Sequence, residues 1–365
     1  MKRWLRLLII VGIIILAIAI SLLYVEPKHT NIKDRKDVLE AVNQGEYTVF
    51  IEDKGKGAGV LKIYDSNTNI EEEIEGITGN LHGIKWSKDG RYFLVTEGRG
   101  IIGTTYIISI ENREDIASIR TVGEAIWAPD SRKLLIGVEN NQKRAIDGEL
   151  DGTIDLALYH IGGKMVELLK GADQYTDYLP KYWDESGEIG YVKIVEEGKE
   201  ELSFKYEPSK EEELMDIVIF GKEGDVSRAV ALLLEIDYDR LEKLYGEGSV
   251  IELLNWLSGQ EIVKQEDILI LICLMDNFLG EEYFVFIEAI GNTYIRDKVQ
   301  FIKALSQVPE KIEFVAYALN DIHIYDREGQ SMFDDLDMIV NSDELTEKEK
   351  RTGIDLINYY AACGT

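Results

Sequence analysis

Three tryptophans open three versions of one short phrase. Trp86-Ser87-Lys88-Asp89-Gly90-Arg91, Trp127-Ala128-Pro129-Asp130-Ser131-Arg132 and Trp183-Asp184-Glu185-Ser186-Gly187-Glu188 each pass from an indole through a polar turn into an apolar run. Asp-Gly and Ser-Gly supply the positive φ angles that a tight strand reversal needs. The runs at 92–96, 133–138 and 189–195 read as strands, and a second strand-like run follows each, at 105–110, 155–161 and 202–206. A further pair, 47–51 and 60–64, precedes them without its own tryptophan. This predicts four related β units within residues 46–208. The tryptophans are 41 and 56 residues apart, near the length of a propeller blade. A large indole at the same point of each unit would let neighbouring sheets pack face to face.

The phrase Trp-Ser/Ala-x-Asp-Gly/Ser-Arg resembles the repeats of TolB-like propellers and of the non-catalytic propeller of dipeptidyl peptidases. Residues 86–96 and 127–138 carry the match. Residues 183–195 depart from it, with Asp-Glu-Ser-Gly in the turn. The resemblance implies a protein-binding or substrate-gating β-propeller-like domain rather than a catalytic one. Four units are few for a propeller. The expectation is therefore a small or incomplete propeller, or an open stack of twisted sheets.

At the N-terminus, Leu7–Val25 is nineteen residues long and carries no charge, and it follows Lys2, Arg3 and Arg6. About twenty apolar residues span a bilayer core. Ala17-Ile18-Ala19 offers a signal-peptidase-like triplet, but the apolar run continues past it, which favours a retained anchor over a cleaved signal peptide. Basic residues flank the run on both sides. The short N-terminal tail and the long downstream body favour N-terminus inside and body extracytoplasmic. The expected localisation is thus the membrane, crossed once.

A body of this size calls for two domains. Character changes at Pro208. Beyond it, apolar residues recur at helical spacing and β alternation disappears. Helices are expected at about 210–220, 225–236, 249–258, 265–279, 281–290, 294–306, 309–322, 331–340 and 345–362, with start signals at Asp225, Ser249 and Pro309. The expected fold class is therefore multidomain α and β. Residues 1–30 form a transmembrane anchor and 31–45 a linker or short helix. Residues 46–208 form an all-β propeller-like repeat domain, and 209–365 an all-α domain, either a bundle or HEAT-like pairs.

The net charge is −28, of which about −19 falls on residues 209–365. Such a surface repels phosphate backbones, so nucleic acid is not an expected partner. Two cysteines, Cys273 and Cys363, exclude a disulfide scaffold and leave at most one bridge. Cys273 sits in the apolar run 268–275 and reads as core.

One segment has metal-ligating character. In Asp147-Gly148-Glu149-Leu150-Asp151-Gly152-Thr153-Ile154-Asp155, acidic groups fall at positions 1, 3, 5 and 9, with Gly152 at position 6. Calcium loops place side-chain oxygens at such positions and a backbone carbonyl at position 7, here Thr153. Position 12 is Leu158, which excludes an EF-hand. The segment is similar to the Asp-rich calcium loops of integrin-type propellers, with Glu149 in place of the usual Asp. Calcium is the one candidate ligand, and an acidic solvated hairpin tip is the competing reading.

Catalytic motifs are not apparent. The four histidines are scattered without metal-ligand spacing, and no nucleophile elbow, zincin or phosphate-loop pattern occurs. The favoured function is a non-catalytic, membrane-anchored binding or scaffolding protein with a protein partner. The competing one is an extracytoplasmic hydrolase, acting for instance on glycans through paired carboxylates of the repeat domain.

Overall fold

A computed structural model describes residues 32–143, 152–220 and 225–363. The apolar run 7–25 lies outside the described residues, as do Asp147, Glu149 and Asp151. Among the described residues no helix is long and apolar enough to cross a membrane. The chain divides into two compact units. One comprises Met1–Ala157, Leu169–Trp183 and Gly190–Leu202; the other comprises Leu158–Leu168, Asp184–Ile189 and Ser203–Thr365. Position 208 is therefore a boundary of secondary structure, and three short segments of the repeat region, the last at 203–208, belong with the helices.

The strands form antiparallel meanders. The first sheet runs β1 (Val38–Gln44), β2 (Tyr47–Asp53), β3 (Gly59–Asp65) and β4 (Ile70–Gly79) in sequence order. The second holds seven strands: β5 (Leu81–Trp86), β6 (Tyr92–Arg99), β7 (Ile102–Ser109), β8 (Glu114–Trp127), β9 (Lys133–Lys143), β10 (Gly152–His160) and β11 (Met165–Lys170). The third holds β12 (Asp177–Trp183), β13 (Glu188–Val195) and β14 (Gly198–Lys205).

The seven-stranded sheet is two blades sharing one long strand. Residues 114–122 of β8 pair with β7, while its last residues pair with β9. Between the two halves the register shifts and Gly123 sits at φ +76. A positive φ is accessible to glycine at little cost, so the bulge lets one strand end a blade and begin the next. Counted this way there are four blades of four, four, four and three strands. They begin with β1, β5, the end of β8, and β12. Strand β5 lies beside β1, and β12 beside β8. This is a β-propeller-type fold. The stretch 31–45, read from sequence as a linker or short helix, holds a 3-10 turn at Ile32–Asp34 and then β1.

The tryptophan phrase has a structural reason at each position. Trp86, Trp127 and Trp183 are the last residues of the strands that begin their blades. The fifth residue of each phrase takes the left-handed conformation: Gly90 at φ 73, Ser131 at φ 63 and Gly187 at φ 83. An aspartate closes each turn. Asp89 Oδ1 accepts from the backbone N–H of Arg91 at 3.1 Å, and Asp130 Oδ1 from Arg132 at 2.8 Å. In the divergent third copy Asp184 takes over, accepting from the N–H groups of Ser186 and Glu188 at 2.9 and 3.0 Å.

Between the first two blades lies a dry core. Val49, Ile51, Leu61 and Ile63 of the first blade pack against Ile84, Phe93, Val95 and Ile108 of the second. The opposite face of the first blade is polar. Phe50 points that way, as do Glu52, Lys62 and Glu71 by the period-two alternation. The Arg35 guanidinium lies 5.3 Å from the Phe50 ring centroid and pairs with Glu52 at 3.3 Å and Glu71 at 2.7 Å. Lys62 pairs with the same two carboxylates, at 3.0 and 2.8 Å. The acidic run Glu71-Glu72-Glu73 lies on β4, an edge strand of this sheet, where charge discourages further pairing.

The helical unit holds α1 (Lys210–Phe220), α2 (Val226–Leu232), α3 (Tyr238–Tyr245), α4 (Ser249–Gly259), α5 (Gln265–Leu274), α6 (Gly280–Arg296), α7 (Lys298–Leu305), α8 (Ile312–Asp321), α9 (Met332–Asn341) and α10 (Glu347–Cys363). Alternate helices are neighbours: α4 packs on α6, α6 on α8 and α8 on α10, while α2 packs on α5 and α5 on α7. One continuous core results, with Leu253, Leu271, Phe286, Phe301 and Val315 fully buried.

Three sequence expectations shift here. Cys273 is exposed on α5, because Ile268, Leu271 and Ile272 occupy the buried face; both cysteines are free. Gly248, at φ 87, takes the N-cap position of α4, which puts Ser249 inside the helix with its hydroxyl buried. Helix α3 was not foreseen. It is short and mostly charged, and it is fixed by Leu241 and Leu244 and by an Asp237 cap on the Arg240 N–H at 3.1 Å.

The hairpin turn after β10 is seated on the end of α3. Gly163 N–H donates to the Leu244 carbonyl at 3.0 Å, and a Cβ added at Gly163 would stand 1.8 Å from the Lys243 carbonyl oxygen. The neighbouring His160 is buried and bonds Glu167 at 2.9 Å, and Glu167 also pairs with Arg240 of α3 at 3.1 Å. The His160 bond, then the Arg240 charge, outweigh burial and hold the Glu167 carboxyl below its ordinary value. His160 is thus a structural histidine.

Candidate functional site

A pocket of about 230 Å³ opens in the repeat unit where the bulged strands of the second and third blades face each other. Its wall from β5 carries His82, Gly83 and Lys85; its wall from β8 carries Gly123, Glu124 and Ala125; Thr96 and Ile102 contribute from β6 and β7. Both walls are bulged at a left-handed glycine, Gly83 at φ 72 and Gly123 at φ 76. The β5 bulge is held from the first blade: Glu40 accepts the N–H groups of Gly83 and Ile84, both at 2.8 Å.

One ion pair spans the mouth. Lys85 Nζ meets the Glu124 carboxylate at 2.7 Å and donates to the Ala125 carbonyl at 3.3 Å. The hydrogen bond from Lys85 holds the Glu124 carboxyl below its ordinary value. Beneath them, the hydroxyls of Thr96, Thr105 and Thr121 form a chain with steps of 3.3 and 2.8 Å, the last two being buried. On the rim, Ile101 is exposed. Glu124 is the only carboxylate among the lining residues.

The acidic segment singled out by sequence is described only in part. Thr153 is fully buried, and its hydroxyl donates to Asn140 Oδ1 at 2.7 Å. Asp155 Oδ1 accepts from Asn140 Nδ2 and from the Ala172 N–H, each at 2.7 Å. Asn140 thus joins the two. Among the described residues no group of three or more His, Cys, Asp or Glu side chains is placed to hold a metal ion. The pocket itself was not anticipated from sequence. The only signal for it was a glycine three or four residues before the tryptophan in each strand, at Gly83 and Gly123.

Comparison with solved structures returns matches of low identity and partial coverage. The chain resembles a structure described with two prolyl endopeptidases, at 11% identity and a TM-score of 0.36, over 44% of this chain and 26% of the other. It resembles the β-propeller domain of the Trilobed protease from Pyrococcus furiosus, at 15% identity and a TM-score of 0.35, over 47% and 55% of the two chains. A putative TolB from Agrobacterium tumefaciens aligns at 13% identity and a TM-score of 0.27, over 42% and 52%. The chain spans between about a quarter and just over half the length of these structures. No family model matches it, and no curated protein does.

Proposed function

We propose that this is a membrane-tethered, extracytoplasmic binding or scaffolding protein. The apolar run 7–25 is its anchor, and the propeller-like and stacked, HEAT-like helical units present separate surfaces to a protein partner. One observation carries the reading. In the pocket Lys85 and Glu124 are paired with each other, beside His82. They offer a donor and an acceptor side by side at one mouth, and four glycines, Gly83, Gly100, Gly103 and Gly123, leave the backbone open to a ligand. This is a recognition chemistry suited to a polar peptide segment.

The test is site-directed photo-crosslinking of full-length protein in its native membrane, with the reactive residue at Ile101. A discrete cross-linked partner is expected, lost when Lys85 and Glu124 are both changed to alanine while the circular dichroism spectrum is kept. A cross-link pattern indifferent to both substitutions would sink the pocket as the binding site. Glycan hydrolysis abolished by carboxylate substitutions in the repeat unit would favour the enzyme reading.

A further inference from the structure

The helical unit carries an apolar surface of its own, remote in sequence from the pocket above. Between the end of α5 and the faces of α6 and α8 lies a groove of about 380 Å³ lined by Met275, Phe278, Leu279, Tyr283 and Phe314, with Asp276 at its edge. Its floor is aromatic: Phe278 is buried against Phe286, tilted, and Tyr238, edge-on, with centroids 4.5 and 5.3 Å apart. Its walls are not covered. Of its lining, Leu279 is 80% exposed, and outside the lining Phe284 and Tyr317 are 58% and 47% exposed on α6 and α8. Tyr283 links them, with its ring 5.5 Å from that of Phe284 and 6.3 Å from that of Phe314. Tyr317 stands one turn beyond Phe314 on α8. A leucine and several aromatics gathered in one open groove are an unusual surface for a soluble unit, where isolated exposed apolar residues are the rule.

The rim has a sign. Asp276 lines the groove, Asp321 bonds the hydroxyl of the lining Tyr283, Glu281 and Glu282 follow the lining Gly280 in the first turn of α6, and Glu313 precedes Phe314 on α8. Lys311 is the basic residue beside it, and it is already paired with Asp276 while lying 5.9 Å from the Phe314 ring centroid. Glu313 and Asp321 each accept a tyrosine hydroxyl, from Tyr317 at 3.3 Å and Tyr283 at 3.1 Å, so the negative charge sits at the very edge of the aromatic surface. Burial, and after it the nearby Glu242, push the Glu282 carboxyl up. Behind the groove, residues 209–365 carry 33 acidic against 14 basic residues.

We propose that this groove docks an amphipathic helix whose apolar stripe enters between Leu279 and Phe314 and whose flanks are Lys- and Arg-rich. Helix-in-groove recognition reads anchors at i, i+3, i+4 and i+7. The carboxylate rim would steer and orient the cationic flanks, an effect felt mostly in the association rate and lost with added salt. The proposal stands apart from the Lys85–Glu124 pocket, which lies on the other unit.

The test uses the detergent-solubilised full-length protein and a fluorescent 18-residue peptide with Leu at i, i+3, i+4 and i+7 and Lys elsewhere. Two controls are a scrambled peptide of identical composition and a Leu/Glu peptide of the same pattern. Anisotropy is expected to show saturable binding of the ordered Leu/Lys peptide, at least tenfold tighter than the scrambled one, with none for Leu/Glu. Leu279→Ser with Phe284→Ser should weaken it tenfold or more, as should Glu281→Lys with Glu313→Lys. All four positions are exposed, so helical circular dichroism should be unchanged. Equal affinity for ordered and scrambled peptides would reduce the effect to bulk charge and overturn the proposal. Indifference to both double variants would overturn it as well. So would a concentration-dependent dimer abolished by Leu279→Ser, which would assign the groove to a second copy of the chain.

Discussion

The indole N–H of Trp127 donates to the carbonyl oxygen of Lys85, 3.1 Å away and 42 residues earlier in the chain. The same bond recurs one blade back, from Trp86 to the carbonyl of Val42 at 3.3 Å. Trp86 and Trp127 therefore each read the backbone of the strand that begins the preceding blade. Its ring is also packed, Trp86 at 5.3 Å from Phe93 and Trp127 at 6.4 Å from Tyr92. The substitution Trp127→Phe keeps an aromatic ring and deletes the donor, leaving the Lys85 carbonyl without it. A net hydrogen bond plus lost ring area should cost about 1–3 kcal/mol. Urea unfolding of the full-length protein measures it. A midpoint unchanged by Trp127→Phe and by Trp86→Phe would remove the indole bond as a link between blades.

Acid should weaken the same motif. Burial pushes the Asp89 carboxyl up, but the Ser87 hydroxyl, the Arg91 N–H and the Arg91 guanidinium outweigh it and hold it below its ordinary value. A carboxyl depressed in the folded state binds its proton later than in the unfolded chain. Its stabilisation is present above the unfolded value, near 3.9, and is lost as pH falls through the folded one. Melting temperature followed from pH 6 downward should fall less steeply in Asp89→Asn than in the parent. Parallel curves would show that Asp89 contributes nothing to the acid limb.

In the helical unit, Asp335 is almost fully buried and accepts from Tyr294 Oη at 2.6 Å, Tyr325 Oη at 3.0 Å and Lys298 Nζ at 2.5 Å. Asp335→Ala removes the acceptor shared by two hydroxyls, which still hold each other at 2.9 Å, and leaves the Lys298 ammonium without it. A broken buried pair costs about 3–5 kcal/mol. Chemical denaturation should show a loss in that range, and Asp335→Asn, which keeps an acceptor, should lose less. Equal losses would mean that shape rather than charge holds the site.

The acidic segment around Asp151 makes its own prediction. If Asp147, Glu149, Asp151 and Asp155 take calcium with the Thr153 carbonyl, melting temperature should rise with the logarithm of free calcium. That rise should vanish in Asp151→Ala. Calorimetry in millimolar calcium, with and without chelator, reads it; no binding heat and no shift would leave a charged hairpin tip.

The second and third strands of the blades were legible because they are short apolar runs bounded by turn residues, as in Tyr92–Thr96 and Lys133–Val138, whereas β11 and the first part of β8 were not. Nor were the strands that begin the blades. Leu81-His82-Gly83-Ile84-Lys85 and Val122-Gly123-Glu124-Ala125 are interrupted by the bulge glycines, which break the period of two on which strand reading depends. The pocket formed at those bulges was hidden for the same reason. The helices were legible by period, with α1 matching to the residue, while α3 escaped because eight residues with two buried leucines carry too little pattern. The groove beside α6 was illegible, because a sequence shows that Leu279, Phe284 and Tyr317 are apolar but not that they are left uncovered.

A row of stacked repeats lengthens by offering each newcomer a greasy wall. At Phe50 that offer is withdrawn. The ring is shut beneath the Arg35 guanidinium, and the lattice of Glu52, Lys62 and Glu71 around it would have to be stripped of water before another sheet could lie there. The first blade is therefore a terminus in the sense of a capping stone. Exchanging those four charged side chains for leucines would replace a hydrated face by an apolar one and make that face prone to association.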